Sequence, residues 1–291
     1  MEAVAQQLAS STRRIVDEVC KDHAAWAPQL DSAPTPGSRL DGGYNHHVQL
    51  IETPGQRWVL RIDKQNRDTS HRERELAIQT QAAACKIAPG ILFSDPKRGI
   101  TVMEWIDAQQ DAQNTAADFA GLLRAIHALP PLGECLESTA VLQRYQTAIK
   151  PESSLAELMR TGHSRINKAV SELGKQKNIA TVLCHNDLLR ANCLRSKDRL
   201  YALDWEYAAP GDAFFDLAVC ASDLPGRVNG ELLELYLQRP ATQAEQRRFK
   251  AQSLVYACIE ACWFSVHHSS SNQASLSHRK LAEFLLNGAP Q

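Results

Sequence analysis

The sequence predicts an α+β protein of two lobes, with a small antiparallel-sheet N-terminal lobe over residues 1–104 and a larger, mainly helical C-terminal lobe over residues 105–291. Three observations lead there. Strand-like runs separated by turn signals crowd between Arg39 and Met103, and helical apolar spacing dominates after Trp105. The 291 residues are 44% hydrophobic and 22% charged, which is enough to bury a real core in lobes of about 100–200 residues each and leaves room for a cleft between them.

Residues 3–22 read as a polar amphipathic helix, and the run from Asp31 to Ser38, with Pro34, Pro36 and Gly37, reads as a linker. Val48-Gln49-Leu50-Ile51 and Trp58-Val59-Leu60-Arg61-Ile62 flank the turn Thr53-Pro54-Gly55-Gln56 and form a hairpin. A helix over 70–86 stops before Pro89-Gly90, and Ile91-Leu92-Phe93 and Ile100-Thr101-Val102-Met103 are two further strands. In the second lobe, Phe119, Leu122, Leu123 and Ile126 set a helix over 115–128 that Pro130-Pro131 ends. Further helices are expected over 138–149, 153–174, 214–223, 230–238, 242–267 and 275–287, interrupted by loop and strand from Val182 to Leu203.

Composition excludes several classes. Lys and Arg number 32 against 33 Asp and Glu, a net charge of -1, so no bulk field recruits nucleic acid or an anionic membrane. No apolar run reaches the roughly 18 residues of a membrane span, and Met1 to His23 lacks the apolar core of a secretory signal, which predicts a cytoplasmic protein. The eight cysteines are scattered without a Cys-x-x-Cys pair and read as reduced, packed thiols. Cys258 and Cys262, four apart on one helix, would be two zinc ligands lacking a second pair.

The chemistry is concentrated in Leu183-Cys184-His185-Asn186-Asp187-Leu188-Leu189-Arg190-Ala191-Asn192-Cys193-Leu194, followed twelve residues after Asn192 by Asp204-Trp205-Glu206. Taken singly, Asp187 would be a turn or cap residue, Asn192 a turn residue and His185 a structural histidine. Jointly, His-x-Asp-(x4)-Asn and then Asp, bracketed by apolar strands, is the pattern that phosphoryl transfer requires. One carboxylate orients the attacking hydroxyl, while an amide oxygen and a second carboxylate hold Mg²⁺ against nucleotide phosphates.

In these motifs the chain resembles the small-molecule branch of the protein-kinase-like fold, the aminoglycoside phosphotransferase and choline/ethanolamine kinase superfamily that includes thiamine kinases. The resemblance covers roughly residues 39–287 and implies a two-lobed kinase-like fold. His185-Asn186-Asp187 and Asp204-Trp205-Glu206 stand where protein kinases carry His-Arg-Asp and Asp-Phe-Gly. It implies His185 and Asp187 as catalytic, Asn192 and Asp204 as metal ligands, and ATP with Mg²⁺ as cofactors. Gly211-Asp212 to Asp216-Leu217-Ala218 is close to a further family signature, in which Asp216 would bond the catalytic-loop backbone.

For the nucleotide, Asp41-Gly42-Gly43-Tyr44-Asn45 is a glycine turn where backbone N–H groups of Gly42, Gly43 and Asn45 would approach phosphates, although an ordinary hairpin bend has the same composition. The resemblance implies that Arg61 replaces the nucleotide-binding lysine, that Glu75 pairs with it (Glu73 being close enough to compete), and that Glu104 and Ile106 meet an adenine edge with their backbones.

Residues 205–217 contain no Ser or Thr and no Ala-Pro-Glu follows, so a protein substrate is not expected. Between Leu200 and Gly226 there are five acids, Asp204, Glu206, Asp212, Asp216 and Asp223, and no Lys or Arg, which suits Mg²⁺ and a cationic acceptor. Trp263 with Glu260 or Glu206 would hold a quaternary or protonated amine, unless the aromatic stripe is simply core. The expected activity is transfer of the γ-phosphate to choline or ethanolamine, with thiamine next, then an aminoglycoside, by a monomer or homodimer. A catalytically silent nucleotide-binding protein on the same fold is the contrasting reading.

Overall fold

The computed structural model describes residues 2–40, 45–64, 67–109, 114–175, 180–197, 199–224, 228–269 and 271–287. They form two compact units. The first takes Met1–Gln110 together with Ser196–Glu206, and the second takes Asp111–Arg195 with Tyr207–Gln291. The return of 196–206 to the first unit is a long-range event that a linear division at residue 104 does not contain.

The first unit begins with α1 (Glu2–Lys21), followed by β1 (Thr35–Leu40), β2 (His46–Thr53), β3 (Gln56–Asp63), α2 (Thr69–Ala84), β4 (Ile91–Asp95) and β5 (Ile100–Glu104). The strands make one antiparallel sheet in the order β1-β2-β3-β5-β4. The two-residue period of β3 divides its side chains between the faces. Trp58, Leu60 and Ile62 join Ile51, Ile100 and Val102 in a core covered by Val16, Val19 and Cys20 of α1 and by Trp26, whose indole donates to Val19 O at 3.0 Å and meets Trp58 edge-on at 5.2 Å. Val59, Arg61 and Asp63 therefore point to the other face. The register places His46 opposite Asp63, and Val48 and Thr101 opposite Arg61, on that same face.

The linker expected over 31–38 runs into β1, and Thr35–Leu40 is the edge strand of this sheet. Pro36 is tolerated because an edge strand needs hydrogen bonds on one side only, and the register shifts between Pro36 and Arg39. Asp68 caps α2, which turns Arg72, Glu75, Ile78, Gln79 and Ala82 inward. Three of those five are polar, so the helix buries hydrogen-bonding groups on its inner stripe.

The second unit contains α3 (Ala116–His127), α4 (Ser138–Ala148), α5 (Ser154–Thr161), α6 (His163–Gly174) and β6 (Val182–Cys184). Short strands β7 (Cys193–Ser196) and β8 (Arg199–Ala202) carry the chain to the first unit. The chain then returns through β9 (Ala209–Gly211), α7 (Ala213–Asp223), α8 (Val228–Leu237), α9 (Gln243–His267) and α10 (Asn272–Asn287). Helix α9 is the axis of this unit. Residues Leu254 to Ile259 are buried on every side among α4, α6, α7 and α10, as in a fully enclosed helix.

The single helix expected over 153–174 is two, α5 and α6, broken at Gly162. A Cβ at Gly162 would stand 2.5 Å from Leu285 of α10, so the missing side chain lets the helices close up there. Among the described residues no helix is long and apolar enough to cross a membrane.

Candidate active site

In the first unit, a group of charged side chains collects on the sheet face opposite the Trp58 core. Arg61, 7% exposed, pairs with Glu75 of α2, 3% exposed, whereas Glu73 on the same helix is exposed. Burial alone would lower the pKa of Arg61, but Glu75, Asp204 and Asp63 outweigh it and raise it, so the guanidinium stays charged. Arg72 donates to Asp63 at 2.7 Å and to Pro96 O at 3.0 Å, tying α2 to the β4–β5 turn. Burial would raise the Asp63 carboxyl, yet His46, Arg67 and Arg72 hold it down at about 2.

Beyond β8 the chain turns sharply at Asp204, whose φ of 61° is left-handed and costly for a residue with a Cβ. Trp205, fully buried, anchors that turn by donating to Ala202 O at 3.2 Å. Glu206 is delivered into the charged group. Its Oε1 accepts from Asn45 Nδ2 at 2.6 Å, and its Oε2 lies 2.7 Å from Arg67 Nη1 and 3.7 Å from His46 Nε2. Burial and neighbouring Asp204 push the Glu206 pKa up, while Arg67, His46 and Asn45 pull against them. Oδ1 of Asp204, 3.7 Å from both Arg61 Nη1 and His46 Nδ1, is buried without a hydrogen bond.

His46, Asp204 and Glu206 present ligand atoms within 4.8 Å of one another. An unsatisfied buried carboxylate oxygen beside a second carboxylate fits a hard divalent cation. Of the expected nucleotide contacts, Gly42 and Gly43 lie outside the described residues. Asn45 reaches the group through Glu206. Glu104 ends β5, where its backbone N–H donates to Gly90 O at 2.9 Å and its carboxylate accepts from Gly90 N at 3.0 Å. Ile106 follows, half-buried, beside Trp105, which is braced by Arg57 over its ring at 4.8 Å and by Asp107 at 2.9 Å.

The second unit holds the other group. Strand β6 pairs antiparallel with β9 and ends at Cys184, so the loop starting at His185 emerges from a fixed point. Asp216, fully buried in the first turn of α7, accepts the backbone N–H of His185 with Oδ2 and that of Asn186 with Oδ1, both at 2.8 Å. His127 of α3 lies 3.0 Å from Asp216 Oδ2 and 2.8 Å from the hydroxyl of Tyr236. Burial would raise the Asp216 pKa, but these donors lower it. Asn186 is left-handed at φ 63° and donates its amide to Tyr207 O at 2.9 Å. The loop is thus held on both sides of the turn that presents Asp187. Asn192 donates its side-chain amide to Asp187 Oδ2 at 2.7 Å and to Asp187 O at 2.9 Å, which commits its nitrogen and leaves its oxygen as an acceptor. The His185 ring is fully buried, a place suited to holding the loop.

On α9, Glu260 has a side chain 14% exposed, 3.7 Å from Lys280, and burial raises its pKa against the pull of that lysine. Trp263 lies among Phe264, His267 and His268 at centroid distances of 4.9, 5.3 and 5.1 Å. The acidic run after Leu200 is not a free negative field. Asp212 pairs with Arg248 at 2.6 Å, Asp223 with Arg190 at 3.3 Å, Asp216 with His127 and Glu206 with Arg67. The compensating bases come from distant segments, which a local count of charges cannot see. Among the described residues no third ligand joins Cys258 and Cys262 in a metal-binding group.

Reading the sequence missed His46, Asp63, Arg67, Arg72 and His127. Strand parity could have found two of them, since His46 and Asp63 share the face of Arg61 in the hairpin register. Arg67 and His127 carry no comparable local signal.

The chain is 24% identical over 253 residues to protein LicA of Haemophilus influenzae, covering 79% of this chain and 71% of that one. It is 28% identical over 198 residues to a thiamine kinase of Escherichia coli, covering 66% of each. The fold matches that of choline kinase LicA from Streptococcus pneumoniae with a TM-score of 0.70 at 18% identity, over 92% of this chain and 98% of that one. Residues 37–250, which include Arg61, Glu75, Asp187, Asn192 and Asp204, match a single family model, and on that match the chain belongs to the phosphotransferase enzyme family.

Proposed function

We propose that this protein is an ATP- and Mg²⁺-dependent kinase that transfers the γ-phosphate to the hydroxyl of a small cationic alcohol, choline or ethanolamine first and thiamine as the alternative. The observation that carries the reading is the Asp187 carboxylate, held by Asn192 on a loop that Asp216 clamps. A fixed carboxylate can accept a hydrogen bond from a hydroxyl and orient its lone pair, and takes the proton as the new P–O bond forms and the bond from the γ-phosphorus to the bridging oxygen of ADP breaks.

Arg61, kept charged and aimed by Glu75, would grip phosphate oxygens, with the backbone at Gly42 and Gly43 as further donors. Asp204 and Glu206 in the first unit, and Asn192 in the second, are each candidate ligands for Mg²⁺, which would supply charge neutralisation at the phosphates when bound. Glu104 and Ile106 are the backbone candidates for the adenine edge. Trp263 and Glu260 are the candidates for the cationic end of the acceptor, by a ring face and a carboxylate. The order of acceptors follows the relatives, because protein LicA and the choline kinase of that name cover more of the chain than the thiamine kinase does. Eight free thiols and the use of ATP fit a cytoplasmic protein, monomeric or homodimeric.

The test is ADP release from Mg·ATP by purified protein with choline, ethanolamine, thiamine or kanamycin. Choline or ethanolamine should stimulate turnover most. Stimulation by kanamycin alone overturns the acceptor assignment and leaves the reaction standing, and no stimulation by any hydroxyl compound rejects the reaction.

A further inference from the structure

Arg67 lies between β3 and the cap of α2, outside every motif discussed above, with a side chain 15% exposed. Its guanidinium reaches four partners in the first unit. Nη1 is 2.7 Å from Glu206 Oε2 and 3.7 Å from Glu75 Oε2, while Nη2 is 3.6 Å from Asp63 Oδ1 and 2.6 Å from His46 Nε2. The same His46 Nε2 is 3.2 Å from Asp63 Oδ1, and His46 Nδ1 is 3.7 Å from Asp204 Oδ1.

The charges of the group follow. Arg61, Arg67 and Arg72 face Asp63, Glu75, Asp204 and Glu206, one carboxylate more than there are guanidinium groups. Without Arg67 the four carboxylates would face two guanidinium groups. Glu206 has Oε1 bonded to Asn45. Neither Asp204 Oδ1 nor Glu206 Oε2 has a hydrogen bond, but Oε2 lies 2.7 Å from Arg67 Nη1, whereas Asp204 Oδ1 is 3.7 Å from Arg61 Nη1. A cation that takes Glu206 must meet Oε2, and Arg67 is already there.

We infer that Arg67 is a resident counter-ion for Glu206 that competes with the divalent cation for Oε2, and so sets how tightly this protein binds metal. The inference rests on the reading of Asp204 and Glu206 as metal ligands. It assigns Arg67 a positioning role: it holds the Glu206 carboxylate in place without metal, and gives it up when metal binds.

The experiment is a titration of the whole protein with Mn²⁺ as a stand-in for Mg²⁺, with free Mn²⁺ read by electron paramagnetic resonance and folding checked by thermal melting. Loss of one neighbouring positive charge should tighten Mn²⁺ binding about tenfold in Arg67→Gln, with Arg67→Lys close to wild type. The gain should vanish when Glu206→Gln is added. Arg67→Met gives the same readout if the glutamine variant does not fold. Binding by Arg67→Gln that is equal to or weaker than wild type, while Asp204→Asn still weakens it, overturns the counter-ion role and leaves the metal ligands standing. Wild-type binding that Asp204→Asn does not weaken overturns the metal ligands, and the counter-ion role with them.

Discussion

Asp216 accepts the backbone N–H of Asn186 at 2.8 Å, and the next residue along that loop is Asp187. The same carboxylate takes the N–H of His185 and contacts His127, so one fully buried acid fixes the start of the loop that presents Asp187. Asp216→Ala would leave two buried amides and an imidazole without their acceptor. It should destabilise the protein by about 3–5 kcal/mol, while Asp216→Asn, which keeps one acceptor oxygen, should cost less. Urea unfolding followed by circular dichroism measures both, and an alanine variant within about 1 kcal/mol of wild type would show that the loop is held by something else.

Acid should dissolve the charged group of the first unit. The Asp63 carboxyl is depressed to about 2 in the folded protein, from an ordinary value near 3.8. Its ion pairs therefore contribute stability that is complete above the unfolded pKa and is lost as the pH falls from roughly 4 towards 2. Glu245, held at about 2 by Arg239, loses its contribution in the same window. Asp63→Asn should flatten, without abolishing, the fall in unfolding free energy between pH 4 and 2. An unchanged slope in that variant would show that Asp63 titrates normally.

The thiols should divide by burial. Cys85 and Cys135 are exposed, whereas burial pushes Cys20 up to about 11, Cys193 and Cys262 up to about 12, and Cys184, Cys220 and Cys258 upward as well. At pH 8 a disulfide reagent such as Ellman's should modify Cys85 and Cys135 quickly and the other six only on unfolding. Rapid modification of Cys258 or Cys262, identified by peptide mapping, would contradict the packing of α9.

The candidate site was legible where its signal was local. His185, Asp187, Asn192 and Asp204 stand out by their spacing between two apolar strands, whereas Arg61 and Glu75 are picked out by the family resemblance, and the fold pairs them. Period-two alternation also placed the hairpin, and period-3.6 spacing most helices. What escaped depends on distance along the chain. Gly162 splits a helical pattern because Leu285, far along the chain, packs against it. The edge strand at Thr35–Leu40 forms because β2 offers an unpaired edge, which overrides Pro36 and Gly37. The acids after Leu200 look unopposed until the fold brings Arg67, Arg190 and Arg248 to them.

The central claim is that Asp187, oriented by Asn192, activates the acceptor hydroxyl. The most direct measurement is phosphomonoester formation from Mg·ATP and choline, ethanolamine or thiamine, followed by phosphorus NMR for wild type and Asp187→Asn in parallel, with ATP affinity determined for both. The account predicts product with wild type, a rate lower by about 10²–10⁴-fold in the variant, and ATP affinity within about twofold. Turnover by Asp187→Asn at the wild-type rate would contradict it.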